Sequence, residues 1–208
     1  MMEVEYHAMQ QGSLDWRRIR QGCATASEFS TLMSKGRGEN GASKGRATYM
    51  YKLAGEIITG ESTDSFSNDH MLRGQAMEEE ARDYYAMQTD AAVQCIGFIR
   101  APLSGGYVGA SPDALVGTAG LLEIKTRLPH LQIPALLAGA LPEEHRAQVQ
   151  GQLWLSGRSW CDYVSYWPKL KPLVVRVGRD DAYIATLAAS VEIFLSELAE
   201  LVRKIREL

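Results

Sequence analysis

The reading turns on Ser111-Pro112-Asp113 and, shortly after it, Leu121-Leu122-Glu123-Ile124-Lys125. In a strand, residues two apart share a face, so Glu123 and Lys125 point the same way while Leu122 and Ile124 cover the other side. Leu121 precedes the charged pair on its own face. Charges on a central strand are costly unless a metal, a substrate or a partner compensates them. Asp113 stands in a tight turn after a strand and Pro112, a placement that sets it beside Glu123 where neighbouring strands meet. Two carboxylates and a lysine make a hard-oxygen site for a magnesium-like ion, with an ammonium next to an attacking water. Taken singly, these residues read as a turn aspartate and a surface Glu–Lys pair on an edge strand. The combination is what points to chemistry.

Working outward, residues 93–100, 107–110 and 121–125 read as strands separated by Pro102, Gly105-Gly106 and Pro112. Upstream the chain reads as helical. Ser13 caps a short helix ending near Gly22, and Thr25-Ala26-Ser27-Glu28 opens a second with Phe29, Leu32 and Met33 as its buried stripe. Residues 36–45 form a glycine-rich loop. Residues 47–58 and 68–88 follow as helices, the latter with Met77, Ala81 and Tyr84 on one stripe. Downstream come a helix over 142–155 stopped by Gly157, strands over 161–167 and 173–177, and an amphipathic helix from Asp181 onward. With no linker or repeat, residues 1–208 read as one α/β domain: a central mixed sheet flanked by helices, with a helical N-terminal part.

Composition narrows the classes. The chain has 208 residues, 46% of them hydrophobic and 23% charged, which fits a folded protein and excludes a disordered one. The longest charge-free apolar run, over 131–141, is too short for a bilayer and carries Gln132 and Pro134. No secretory signal is evident near Met1. Cys23, Cys95 and Cys161 are scattered singly and the four histidines form no H-E-x-x-H pair, so neither a disulfide framework nor a zinc site is expected. A cytoplasmic location follows from that usage. Net charge is −3, yet residues 1–52 carry a surplus of three positive charges and residues 53–99 a surplus of seven negative ones. A locally basic N-terminal segment suits phosphate contacts.

Two other motifs fail. Gly36-Arg37-Gly38-Glu39-Asn40-Gly41 matches G-x-G-x-x-G, but a helix precedes it where a dinucleotide site needs a strand. Gly109-Ala110-Ser111-Pro112-Asp113 lacks the second glycine of a nucleophile elbow.

Ser-Pro-Asp followed by Glu-Ile-Lys resembles the PD-(D/E)xK nuclease signature, and the flanks resemble its phage lambda-type exonuclease branch. Trp16-Arg17-Arg18-Ile19-Arg20-Gln21-Gly22 with Thr25-Ala26-Ser27-Glu28 is similar to that family's N-terminal motif. Arg73-Gly74-Gln75-Ala76-Met77-Glu78-Glu79-Glu80-Ala81-Arg82 resembles its acidic helix. Ala147-Gln148-Val149-Gln150 with Leu153-Trp154 resembles its glutamine helix, and residues 163–168 the strand after it.

The resemblance implies a Mg²⁺-dependent 5′-to-3′ exonuclease on linear double-stranded DNA that leaves 3′ overhangs for recombination by strand annealing. Mn²⁺ would substitute, and two ions would act in the reactive complex. Asp113 and Glu123 would ligate metal together with the Ile124 carbonyl. Lys125 would orient the attacking water, assisted by Gln148, and Glu78 would hold a metal-bound water; the run Glu78-Glu79-Glu80 leaves open which acid faces the site. Arg20, Ser27 and Ser111 would grip the 5′-phosphate, Arg37 the terminal nucleotides, and Met71 would be the wedge at the end base pairs. An arginine just ahead of a serine-capped helix start suits a phosphate. The family further implies a homotrimeric ring and a single-strand annealing protein as partner, with no membrane. The competing readings are an endonuclease or junction resolvase on the same fold, and a non-catalytic DNA-binding protein.

Overall fold

The computed structural model describes residues 3–36, 43–63 and 69–208, with residues 69–73 and 75 described in backbone only. Among them, nine strands form two sheets. The first runs β1 (Glu5–His7), β4 (Phe98–Leu103), β5 (Gly106–Ala110), β2 (Cys23–Thr25). The second runs β3 (Val93–Gln94), β6 (Ala114–Val116), β7 (Gly120–Thr126), β8 (Trp160–Tyr166), β9 (Leu173–Gly178). This second sheet is the expected mixed one. Its central pair, β7 and β8, is parallel and the outer pairs are antiparallel. A parallel pair needs a long crossover; here α5 (Pro129–Ala138) and α6 (Arg146–Ser156) provide it.

The remaining helices are α1 (Leu14–Arg20), α2 (Phe29–Met33), α3 (Lys44–Thr59), α4 (Asp69–Thr89) and α7 (Asp181–Arg206). Ser13 caps α1 by accepting from the Trp16 N–H, and Ser43 caps α3 by accepting from the Arg46 N–H. Gly60 and Gly157 end α3 and α6 at φ of 71° and 68°, a left-handed turn that glycine enters without a steric penalty.

Strand β7 lies between two apolar clusters. Leu121 joins Phe29, Leu53, Leu153 and Phe194 in the larger, under α2, α3, α6 and α7. Leu122 and Ile124 join Ala81, Tyr85 and Val164 in the smaller, under α4. The expected alternation along β7 therefore holds, and Glu123 takes the place on the Leu121 face where the larger core gives way to the site. A buried polar bolt fixes α4 to this sheet: the Tyr85 hydroxyl donates to Asp162 at 2.6 Å, and Arg176 grips the same carboxylate with two bonds.

Several elements differ from expectation. Cys23–Thr25 is a strand, Ala26–Glu28 a 3-10 turn, and α2 starts at Phe29. Thr25 makes no cap because its hydroxyl faces those of Ser27 and Tyr49. The single strand expected over 93–100 is two strands in different sheets. The break falls at Gly97, whose N–H donates to the His7 carbonyl and where a Cβ would stand 2.3 Å from the Met9 carbonyl oxygen. On α4 the buried tyrosine is Tyr85, at i+4 from Ala81, and not Tyr84. The segment after β7 forms α5 despite Pro134, held by its buried Gln132, whose amide donates to the Ser165 and Lys171 carbonyls. Helix α7 is long and apolar enough by length and composition to cross a membrane. Its buried stripe, from Ile184 to Val202, packs into the larger core.

Candidate active site

β7 delivers Glu123 and Lys125 side by side, as the alternation requires. Glu123 is 2% exposed, and Lys125 Nζ lies 2.7 Å from its Oε1. Gln148 Nε2 donates to the same oxygen at 2.5 Å, while Gln152 Nε2 donates to Oε2 at 2.6 Å. Both glutamines come from α6, one turn apart, so a single helix face clamps the carboxylate. Gln150 turns away, bonding the Gly178 carbonyl and the Asp180 N–H.

Asp113 is brought to this pair by the turn before β6. Its backbone N–H donates to the Leu122 carbonyl at 3.0 Å, and its Oδ2 accepts from the Ile124 N–H at 2.6 Å. Gln11 holds the turn by donating to the Pro112 and Ile96 carbonyls. Burial, and then the nearby carboxylates of Glu123 and Glu78, push the Asp113 carboxyl well above the ordinary range; Lys125 and the Ile124 N–H oppose this. Burial alone would lower the Lys125 ammonium, but Glu123 and Asp113 outweigh it and hold it up.

Glu78 is the half-buried member of its acidic run, with Glu79 and Glu80 exposed. Its carboxyl is raised by burial and Glu123, against Lys125 and then Arg82. Glu80 acts instead on Tyr166. Glu78 is thus the acid electrostatically joined to the site, while its i+4 neighbour Arg82 adds a smaller effect.

Among the described residues, no group of three or more Asp, Glu, His or Cys could hold a metal unaided. The donor set nevertheless fits Mg²⁺. That ion is commonly held by one or two carboxylates, with waters and substrate phosphates completing its shell. Burial raises Asp113 most, and the repulsion from Glu123 and Glu78 that adds to it is what a divalent cation would relieve.

Arg20 and Ser27 line a second feature, a cavity of about 130 Å³ shared with Arg17, Thr25, Tyr49 and Lys52. The Arg20 guanidinium lies 4.0 Å from the Trp16 ring centroid. Trp16 Nε1 in turn donates to Ser111 Oγ at 3.0 Å. The cavity is thereby linked to the turn that carries Asp113, and the parallel pairing of Thr25 with Gly109 brings the ends of β2 and β5 together there. Ser111 is not among the residues lining the cavity; Trp16 connects it to Arg20, which is. Ile124 is buried between Glu123 and Lys125. Arg37 lies outside the described residues; Met71 lies on α4, with its side chain outside them.

Sequence reasoning missed Gln152, Tyr163, Arg127 and His145. Gln152 had a signal, its i+4 spacing from Gln148. Tyr163 is the β8 register partner of Glu123 and is stacked by His145 at 5.3 Å.

The YqaJ-like viral recombinase domain matches residues 15–159. The crystal structure of LHK-Exo in complex with dAMP is 35% identical, with a TM-score of 0.84, over 94% of this chain and 97% of that one. A second crystal structure of LHK-Exo, an alkaline exonuclease from Laribacter hongkongensis, is 34% identical with the same TM-score and coverage. A phage-related exonuclease from Haemophilus somnus 129PT shares the fold, with a TM-score of 0.64 at 13% identity over 91% of this chain and 99% of that one. No curated protein matches significantly. A family match over most of the chain and a relative above 30% identity along nearly its full length agree with the geometry, and the chain belongs to the YqaJ-like viral recombinase family as a nuclease-type enzyme.

Proposed function

We propose that the protein is a Mg²⁺-dependent exonuclease that digests linear double-stranded DNA from 5′ ends, releasing mononucleotides and leaving 3′ single strands for recombination by annealing. The observation that carries this reading is the link from the Arg20–Ser27 cavity through Trp16 and Ser111 to Asp113, Glu123 and Lys125. An end-recognising pocket one step from a hydrolytic centre is what an exonuclease requires. Neither an endonuclease nor a junction resolvase has use for it. LHK-Exo is an alkaline exonuclease and has been captured with dAMP, which supports mononucleotide release here.

Asp113 and Glu123, with the Ile124 carbonyl, would hold the metal, whose chemistry is charge neutralisation on the phosphate and acidification of the attacking water. The protein's own groups do the positioning. Lys125 stays an ammonium, so it donates a hydrogen bond and orients the water without taking its proton. Gln148 and Gln152 fix both oxygens of Glu123 and so its angle to the phosphate. Glu78, whose carboxyl is raised by burial, would position a water at the edge of that site. Arg20 grips the terminal phosphate with Ser27 and Ser111, Arg37 contacts the end nucleotides, and Met71 separates the end base pair. The active form is a homotrimeric ring that works with a single-strand annealing protein. Exposed Leu131, Ile133 and Leu137 on α5 are apolar surface of the kind that assembly covers.

The test is digestion of linear duplex carrying 5′-phosphate or 5′-hydroxyl ends, and of closed circular duplex, with and without Mg²⁺. Rapid release of 5′ nucleotides from phosphorylated ends only with metal is expected. Cleavage of the closed circle would overturn the reading.

A further inference from the structure

Beyond the residues already placed, one more cation stands immediately past the end of β7. Arg127 follows Lys125 by two positions, and its N–H still donates to the Tyr166 carbonyl at 3.0 Å, so β-pairing continues through it. Glu123, Lys125 and Arg127 thus form a row, with about 6.6 Å between successive Cα atoms.

The Arg127 side chain leans toward β8. Its Nη2 bonds Glu144 Oε1 at 2.7 Å and His145 Nε2 at 2.6 Å. Because a guanidinium only donates, His145 Nε2 must accept, which places the ring proton on Nδ1. Burial, followed by Lys125 and Arg127, pushes the His145 pKa down to about 4. A neutral histidine therefore fixes the guanidinium without cancelling its charge. The Arg127 side chain is 16% exposed and that of Glu144 62%, so the pair meets solvent on the Glu144 side, where a phosphate would compete for the guanidinium. Guanidinium carries five N–H donors in a planar fork suited to phosphate.

The position relative to the carboxylates decides what this cation is for. The Arg20 cavity is reached from the Asp113 side of β7, through Ser111 and Trp16. Arg127 lies toward the opposite flank, where His145 stacks on Tyr163 of β8. A strand with its terminal phosphate at Arg20 and its scissile phosphate at Glu123 must leave along that flank.

We propose that Arg127 binds the first phosphate beyond the scissile bond on the strand being digested. The site so formed anchors the DNA on the side opposite the end pocket. It is the contact that holds the substrate when the terminal nucleotide departs. This rests on the 5′-to-3′ reading above. A purely architectural Arg127, tying the start of α6 to β7, would slow every substrate alike.

The experiment uses the full-length enzyme, Mg²⁺ and 5′-phosphorylated linear duplexes. One duplex is all-phosphate, one has a neutral methylphosphonate at the second linkage from the 5′ end, and one has it at the fourth. Single-turnover release of the first nucleotide is read. The second-linkage substitution should slow the native enzyme about ten- to a hundredfold, the worth of a hydrogen bond to a charged group, and the fourth should change little. In Arg127→Gln the ratio between the first two duplexes should fall close to one, and in Arg127→Lys it should be intermediate. General loss of activity cancels in that ratio. Native ratios in both variants would overturn the assignment to Arg127 alone. First nucleotides appearing from the 3′ end would overturn the 5′-to-3′ reading and this proposal with it.

Discussion

Gln152→Met is the most discriminating substitution at the carboxylate clamp. Gln152 is 1% exposed, its Nε2 donates to Glu123 Oε2 at 2.6 Å, and its own Oε1 is buried without a hydrogen bond. Methionine keeps the shape and removes both polar atoms. Losing the donor costs about 1.5–3 kcal/mol, because the acceptor is charged and buried. Losing the orphaned Oε1 returns about 1–3 kcal/mol. The two effects nearly offset in stability, so Tm should move little. They do not offset in catalysis, since only the donor touches Glu123. With Oε2 released, the carboxylate is held on one oxygen by Lys125 and Gln148 and can swing, and misplacement by an ångström costs on the order of a hundredfold. Single-turnover cleavage should therefore fall about ten- to a hundredfold while melting stays within a few degrees. Calorimetry and a rate assay on the same preparation check this. A rate within twofold of the native enzyme would show that the clamp on Oε2 contributes nothing to the chemistry, and Gln152 would be only a core residue.

Asp113 predicts a pH effect on stability. Its carboxyl is raised in the folded chain, so the metal-free protein gains stability below the unfolded-state pKa and loses it as pH rises through the raised value. Melting in chelator from pH about 4, the ordinary aspartate value, upward should show this loss; added Mg²⁺ should cancel it and Asp113→Asn should abolish it, whereas parallel curves for native and variant would refute it. Arg20→Ala should keep Mg²⁺ binding yet lose about ten- to a hundredfold of its preference for 5′-phosphate over 5′-hydroxyl ends, from the lost charge-assisted bond. An unchanged preference in initial-rate assays would make Arg20 an ordinary surface arginine.

What the sequence disclosed was local pattern. The alternation Leu121-Leu122-Glu123-Ile124-Lys125 is dictated by period two, and the structure keeps it because two cores press on β7 from opposite faces. Glu78 stood in a run of three acids whose facing member the sequence left open, and helix register against β7 selected it. The misses are long-range. β1 is three residues long and pairs with β4 across more than ninety positions, which no local pattern announces. β2 hid inside a helix-start signature because Thr25-Ala26-Ser27-Glu28 carries capping residues, whereas the backbone up to Thr25 pairs with β5.

Gln152 shows why site residues are harder to read than folds. A buried glutamine among Val149, Leu153 and Leu155 looks like an imperfect core position, and its meaning comes only from a carboxylate on a strand 29 positions away. The same holds for His145, whose isolation in sequence suggests a surface residue. Packed on Tyr163 and pressed by Lys125 and Arg127, it is kept neutral and becomes the fixed acceptor that aims Arg127. Motifs name the groups that meet the substrate's charge. The groups that hold those side chains at a fixed angle are set by packing, and so they stay silent until the strands are paired.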